Sequence, residues 1–181
     1  SSCDSWVFSY EDCCRNSSQN LSGTGNDYYF ETILNSNTSP CNNSPVISGS
    51  PIPYSCINQP VIYNFGVFEP DGDSLFYSLV NALEDPGLSV PYQFGYSGSS
   101  PINGISINSS TGEITFTPTI QGNFVVVVLI EEFDSNGNLV GSIMQDFTFE
   151  IINCTTNFSP APNPIGLLNL TGNSTQTSLF D

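Results

Sequence analysis

The chain almost completely lacks basic side chains. Among its 181 residues, Arg15 is the single arginine and there is no lysine or histidine, against 17 acidic residues. Without histidine there is no imidazole general base or metal ligand, so Ser/His/Asp and Cys/His catalytic arrangements are excluded. Without lysine there is no phosphate-loop lysine and no amine for a Schiff base. The composition therefore excludes most of the usual catalytic chemistry.

Long apolar runs are also missing. The longest, residues 124–130, is far shorter than the roughly 20 residues that a membrane-spanning helix needs. With a formal net charge of -16 and a sequence pI near 4.1, the surface should repel nucleic acid phosphates and anionic lipid headgroups. We therefore expect no nucleic acid partner and no membrane insertion, and cations are the ligands that the charge favours.

The cysteines indicate disulfide bonds. Their number is even and their spacing lacks the paired CxxC or Cys/His pattern of a metal site; they are Cys3, Cys13, Cys14, Cys41, Cys56 and Cys154. We pair Cys56 with Cys154 because they bracket the second half of the chain. Adjacent cysteines seldom bond to each other, so Cys13 and Cys14 are predicted to bond with Cys3 and Cys41, in either order. An extracellular or cell-surface location follows.

The pattern of strands and turns predicts an all-β fold. Gly, Pro, Asn and Ser clusters recur at short intervals, and no segment shows a sustained helical period. Candidate strands are residues 6–10, 28–34, 61–65, 75–79, 91–95, 104–107, 113–117, 123–133 and 139–152. The last two are predicted to form a hairpin through the Asn-Gly turn at residues 134–138. Such a density of short strands is typical of a β-sandwich.

Three segments are predicted. Residues 1–50 form a disulfide-stapled β segment, residues 51–155 form the sandwich, and residues 156–181 form a proline-rich linker. After the prolines, Leu167, Leu168 and Leu170 could be a strand of a further module, a strand donated to a neighbour, or a solvated tail. Residues 124–130 are apolar on both strand faces. One face should meet the opposing sheet, and the other the N-terminal segment or a neighbouring chain.

A calcium loop is predicted in the second half of the chain. In residues 69–74, hard oxygen ligands alternate around a glycine, which suits a Ca²⁺ ion that takes six to eight oxygens. A second acidic group at residues 131–134 could meet the first at one end of a sandwich. The candidate ligands are Glu69, Asp71, Asp73, Glu132 and Asp134. The alternatives are an Asp-Gly-Asp turn with solvated carboxylates, or a pair of glycosidase carboxylates.

Two further features have alternative interpretations. Arg15 is predicted to have a structural role, clamping a carboxylate or stacking on a ring such as Trp6 or Tyr10. The aromatic run Tyr92, Phe94 and Tyr96 could bind carbohydrate, or could be an ordinary strand with one covered face.

Several separated motifs give the chain a family resemblance. They are Trp6 followed by Cys13-Cys14-Arg15-Asn16, residues 42–46, Cys56, and residues 69–79, 111–118, 122–124 and 146–154. In this order they resemble the repeated surface modules of Bacteroidetes, found in large secreted proteins that include gliding-motility adhesins. The resemblance covers residues 3–154. It implies an immunoglobulin-like or cadherin-like sandwich, export by the type IX route, and calcium at Asp71 and Asp73.

The chain departs from this family at two places. Family members tend to have arginine where this chain has Gln145, so an ion pair expected there is missing. The Cys13-Cys14-Arg15-Asn16 stretch usually closes a preceding sandwich, so residues 1–50 resemble half a domain. We predict that these strands complete their sheet against an adjacent subunit, with Leu167 to Leu170 in the reciprocal role.

The sequence thus predicts a non-enzymatic structural or adhesive module of a secreted bacterial surface adhesin or extracellular filament. Neighbouring copies or modules are the expected partners, surface glycans are further candidates, and calcium is the expected cofactor. The alternative is a carbohydrate-binding module of a secreted protein, and the third possibility is a hydrolase that uses two carboxylates.

Overall fold

Strands are the regular secondary structure in the part of the chain that the structure describes. A computed structural model describes residues 5–23, 26–49 and 54–154. Within these ranges no residue is helical, so no helix there is long and apolar enough to cross a membrane. The strands are β1 (Trp6–Asp12), β2 (Tyr28–Leu34), β3 (Val46–Ile47), β4 (Tyr54–Cys56), β5 (Val61–Tyr63), β6 (Val67–Phe68), β7 (Ser74–Val80), β8 (Leu83–Asp85), β9 (Leu88–Ser89), β10 (Ser106–Ile107), β11 (Ile114–Phe116), β12 (Gly122–Phe133) and β13 (Leu139–Ile152).

The largest sheet has the order β7-β12-β13-β2-β8-β9, with β1 paired to β2 and β4 paired to β13. Its centre is the predicted β12–β13 hairpin. The Asp134 main-chain N–H donates to the carbonyl of Asn138 (3.0 Å), and Gly137 takes the positive φ of 81° that this turn requires. Two smaller sheets, β10-β11-β5 and β3-β6, complete the fold. The prediction of an all-β sandwich is confirmed, and its immunoglobulin-like or cadherin-like type stays a prediction.

One face of the central hairpin carries the larger core. Alternate residues of β13 point to the same side of a strand, and Phe147, Phe149 and Ile151 are buried there, as predicted. They pack with residues of β12 and with Tyr63 and Phe116 of the small sheet. These contacts fix the register of the hairpin, because a shift of one residue would move the aromatic rings into solvent.

The other face of β12 is covered by the same chain. Val125 and Val127 pack with Leu21 of the N-terminal segment and with Ala82 and Val90. Fully buried Asn20 holds this cover in place, because its Nδ2 donates to the Val125 carbonyl (2.7 Å) and its Oδ1 accepts from the Val125 N–H (3.0 Å). Both faces of the strand are therefore buried, and the N-terminal segment is part of the second cover.

The predicted division at residue 50 does not interrupt the main sheet. β2 pairs with β13 over residues 32–34 and with β8 at Tyr29.

Residues 91–95 are not a strand, contrary to prediction: Tyr92 forms an isolated bridge with Leu21, and the chain then turns. The reason is that the rings of Tyr92 and Tyr96 enter two different core clusters, which a straight strand at one sheet edge could not achieve.

The disulfide pattern is partly as predicted. Cys56 bonds to Cys154, which confirms that pair. Cys13 bonds to Cys14, so the prediction that these two residues bond with Cys3 and Cys41 is wrong. The chain turns sharply there, with a φ of 75° at Cys14. Cys41 is exposed and has no disulfide partner among the described residues. Cys3 and the segment with Leu167, Leu168 and Leu170 lie outside them.

Candidate functional site

Three of the five predicted metal ligands come together in an acidic corner, which we define as Glu69, Asp71 and Glu132. Each offers a carboxylate oxygen within 4.8 Å of the others. Glu69 directly follows β6, Asp71 lies in the turn before β7, and Glu132 lies on β12, opposite Leu75 of β7. The pairing of β7 with β12 therefore joins the two acidic groups that are distant in sequence.

Main-chain and amide donors shape the loop of the acidic corner. The two carboxylate oxygens of Glu69 accept from the N–H groups of Asp71 (3.0 Å) and Asp73 (2.6 Å). The main-chain N–H and side-chain amide of Asn43 donate to Asp71 at 2.6 and 2.8 Å, and these bonds lower the pKa of Asp71. These bonds hold both carboxylates in ordered positions and favour the ionised form of Asp71.

Glu132 is the unusual member of the acidic corner. Its side chain is fully buried, and Asn42 Nδ2 donates to its Oε2 (2.9 Å). Glu132 Oε1 and Asn42 Oδ1 are both buried, and neither has a hydrogen-bond partner among the described residues. Burial raises the pKa of Glu132 to about 7, and the neighbouring charge of Glu69 adds to the rise. A buried carboxylate with an unused oxygen normally requires a partner, because desolvation of an unpaired charge is strongly unfavourable.

Space for Glu132 is made by a glycine on the neighbouring strand. Gly141 is opposite Glu132 in the β12–β13 register, and a Cβ atom at position 141 would lie 3.0 Å from Glu132 Oε2. The register shifts between Glu132 and Phe133, which is a β-bulge of the kind that redirects a side chain beside a functional site.

The other two predicted ligands do not join the group. Asp134 accepts from the side-chain amide of Asn138 (3.0 Å) and from the N–H groups of Asn138 and Asn136, both at 2.8 Å, and these bonds within the hairpin turn lower its pKa. Asp73 lies close enough that burial and three neighbouring carboxylates raise its pKa. Asp134 therefore stabilises the turn, and Asp73 adds negative charge beside the acidic corner.

The donor set of the acidic corner fits a hard divalent cation. It offers carboxylate and amide oxygens, and two of these oxygens lack a partner. The chain has no lysine or histidine to balance the charge.

Asn42 and Asn43 contact the carboxylates of the acidic corner, and both were absent from the predicted ligand set. They precede β3, which pairs with β6, and this pairing carries Asn42 and Asn43 to the corner.

Arg15 is buried in a second charged site. Its Nη1 lies 2.8 Å from Asp146 Oδ2, its Nη2 donates to the Leu83 carbonyl (3.3 Å), and its Cζ lies 4.3 Å from the centre of the Tyr28 ring. The structure confirms that Arg15 pairs with a carboxylate and lies over an aromatic ring, but this ring is Tyr28 and not Trp6 or Tyr10. Asp146, which follows Gln145, obtains its ion pair from Arg15 instead of from a preceding arginine.

Strand β1 forms an exposed edge. All of its residues are exposed, and among the described residues it pairs with β2 alone. Its side chains include Trp6, Phe8 and Tyr10, which are 49, 60 and 52% exposed. Because alternate residues share a face, these three aromatic rings lie on the same side of the β1–β2 ribbon.

The predicted aromatic run does not form one platform. Tyr92 packs in the smaller core cluster and its hydroxyl accepts from the Ala82 N–H (3.0 Å), whereas Tyr96 packs against Phe124 in the larger core. Phe94 alone is fully exposed. A saccharide stacked across all three rings is therefore not compatible with this arrangement.

Comparison with known proteins gives one partial likeness. No protein-family model matches the chain. Over 130 aligned residues, which cover 68% of this chain, the sequence is 31% identical to Integrin beta-like protein A of Dictyostelium discoideum. The chain spans only 6% of the length of that protein, so the likeness concerns one short part of it.

Proposed function

We propose that this chain is a non-enzymatic structural and adhesive module of a secreted bacterial surface adhesin or extracellular filament, of the kind that it resembles in Bacteroidetes. The disulfide bonds favour an oxidising, extracellular location. The partial likeness to a protein named as integrin β-like is consistent with an adhesive role. The absence of histidine and lysine supports a role that does not depend on catalysis.

The observation that carries this proposal is the β1 edge. A long strand with a free edge and exposed apolar side chains is a template for pairing with another chain, and soluble monomers normally protect such edges with charge, proline or a covering segment. Here the middle of the edge carries Phe8, Ser9 and Tyr10 and no lysine. A second copy or a neighbouring module that adds a strand would satisfy the backbone groups of β1 that no described residue pairs with, and would cover the rings.

Replacing Phe8 by lysine is expected to abolish self-association. The substitution places a charged side chain on the outer edge of β1 while leaving the pairing with β2 intact. The wild-type chain should form concentration-dependent oligomers or filaments in sedimentation and electron microscopy, and Phe8→Lys should stay monomeric. The added positive charge reduces the net charge of -16, so charge repulsion cannot explain the loss.

Phe94→Lys is the matched control for this test. Phe94 is fully exposed on a loop away from β1, and its replacement makes the same change in charge and size. We expect Phe94→Lys to assemble like the wild type. A wild-type chain that is monomeric at all concentrations, or equal assembly by both variants, would show that the β1 edge is not the contact.

Calcium is the proposed cofactor of this module, bound by Glu69, Asp71 and Glu132 with Asn42 beside them. A cation at this position would neutralise carboxylates that have no basic partner and would give the unused oxygens a ligand. Because it would join the loop after β6 to β12, it would rigidify one end of the sandwich. This is a stabilising role, and it requires no chemistry at the ion.

Calcium should raise the thermal midpoint of the wild-type chain relative to chelator. A ligand at about 100 times its dissociation constant stabilises the folded state by about 2.7 kcal/mol. Glu132→Gln should lose most of this gain, because an amide cannot supply the buried charge. In chelator at neutral pH it should be at least as stable as the wild type, since it removes an unpaired buried carboxylate.

The control is Glu113→Gln, which makes the same charge change at an exposed position. It should keep the full response to calcium when unfolding is followed by calorimetry. A wild-type midpoint that does not move with calcium, or an equal loss in both variants, would rule out the acidic corner as the site.

A further inference from the structure

An open groove lies at the end of β1, beside the bond between Cys13 and Cys14. It has a volume of about 300 Å³, which is enough for a small ligand. Tyr10, Asp12, Asn16 and Tyr28 also line it. We refer to it as the Cys13–Cys14 groove. It is separate from the acidic corner, and of the β1 residues proposed for self-association it includes only Tyr10 and Asp12.

The groove has an aromatic wall formed by Tyr10. The ring of Tyr10 is half exposed and lies 5.4 Å from the ring of Phe30, which in turn contacts Tyr28 edge-on at 5.6 Å. These contacts hold both tyrosines in place. The disulfide between adjacent cysteines adds a compact, rigid patch without hydrogen-bonding capacity of its own, so the surface needs little reorganisation to receive a ligand.

Polar groups surround this surface. Asp12 accepts from the Tyr10 hydroxyl (3.0 Å) and from the Cys13 N–H (2.8 Å), which fixes its carboxylate at the rim. A carboxylate has acceptor capacity beyond these two bonds, and the exposed amide of Asn16 offers both donors and an acceptor. The groove therefore offers a ring for stacking together with hydrogen-bond donors and acceptors.

The charges in the groove disfavour an anion, and Arg15 already occupies the face of Tyr28 on which a cation could stack. The guanidinium of Arg15 is already paired with Asp146, and the Asp12 carboxylate would repel an anion. A cation would compete with Arg15, which already lies over the face of Tyr28 at 4.3 Å. A neutral ligand with one apolar face and several hydroxyl groups meets all of these conditions.

We propose that the Cys13–Cys14 groove binds a neutral saccharide unit, with the C–H face of the sugar on Tyr10 and its hydroxyls bonded to Asp12 and Asn16. Tyr28 and the disulfide form the remainder of the floor. This site differs from the run of Tyr92, Phe94 and Tyr96. Because Tyr10 also belongs to the β1 edge, a sugar and a second copy would compete for this ring.

The test is saturation-transfer NMR on the whole chain with methyl glycosides of glucose, galactose, mannose and N-acetylglucosamine. This readout observes the ligand, and it is applied to Phe8→Lys as well as to the wild type, because assembly through β1 would cover Tyr10. At least one glycoside should bind, with strongest saturation on the C–H protons of one sugar face. Tyr10→Ala and Asn16→Ala should each weaken binding by about tenfold.

Two controls separate this proposal from the others. Phe94→Ala removes an exposed ring elsewhere and should bind like the wild type, and Phe8→Lys should bind normally even if it no longer assembles. A choline or sulfated hexose probe should bind more weakly than the neutral sugar. Absence of binding by every neutral glycoside, unchanged binding by both groove variants, or stronger binding of a charged probe would overturn the proposal.

Discussion

Replacing Cys56 and Cys154 together by serine is expected to lower the free energy of unfolding by about 4 kcal/mol. The bond joins residues separated by 98 positions, so it restricts a large loop in the unfolded chain. In the folded state it also fixes β4, a strand of only three residues, against the end of β13. Urea unfolding followed by circular dichroism measures the loss.

The bond between Cys13 and Cys14 provides an internal control. Its partners are adjacent, so it closes almost no loop, and Cys13→Ser/Cys14→Ser should lose far less stability than Cys56→Ser/Cys154→Ser. For Cys56→Ser/Cys154→Ser the free energy of unfolding should also fall more steeply with urea concentration, because the unfolded chain of this variant is more expanded. Equal losses in the two double variants would contradict the loop-closure explanation.

The strands of the fold were largely predictable because their signals are local. The Asn-Gly turn and the alternation of Phe147, Phe149 and Ile151 define the central hairpin without any tertiary information. Residues 91–95 have the same aromatic alternation, yet they do not form a strand. Tyr92 and Tyr96 pack in different core clusters, and these long-range contacts override the local preference for a strand.

The acidic corner was predictable only in part. The turn at residues 69–73 is visible in the sequence and Glu132 was among the predicted ligands, but the burial of Glu132 was not predictable. Residues 124–130 are apolar on both faces, so the pattern does not show which face the following glutamates occupy. The contribution of Asn42 depends on β3, a strand of two residues whose pairing with β6 has no distinct sequence signal.

Arg15 shows the same division between local and long-range information. Its position beside two cysteines and the absence of other cations predict a structural brace, but its partner Asp146 lies near the opposite end of the chain. The two meet because the N-terminal segment folds over the hairpin, where both side chains are almost fully buried. The acidic excess of the chain thus has one internal counter-charge, at one carboxylate.

Replacing Arg15 by methionine is expected to lower the free energy of unfolding by about 3–5 kcal/mol, because Asp146 would be left as a buried charge without a partner. Burial raises the pKa of Asp146 to about 6, and Arg15 opposes that rise. Without Arg15 the pKa should rise further. The loss relative to the wild type should be smallest below about pH 6, where Asp146 is protonated in both folded chains. It should grow as the pH rises above 6, because Asp146 then ionises more readily in the wild type, where Arg15 stabilises the carboxylate.

Two further variants test this explanation by urea unfolding at acid and neutral pH. Arg15→Lys keeps the charge but loses the planar group over Tyr28, so its loss should be intermediate. Arg15→Met/Asp146→Asn removes both charges and should recover much of the stability at neutral pH. If the double variant is no more stable than Arg15→Met, or if the loss does not depend on pH, then the packing of the arginine side chain, and not its charge, supports this part of the fold.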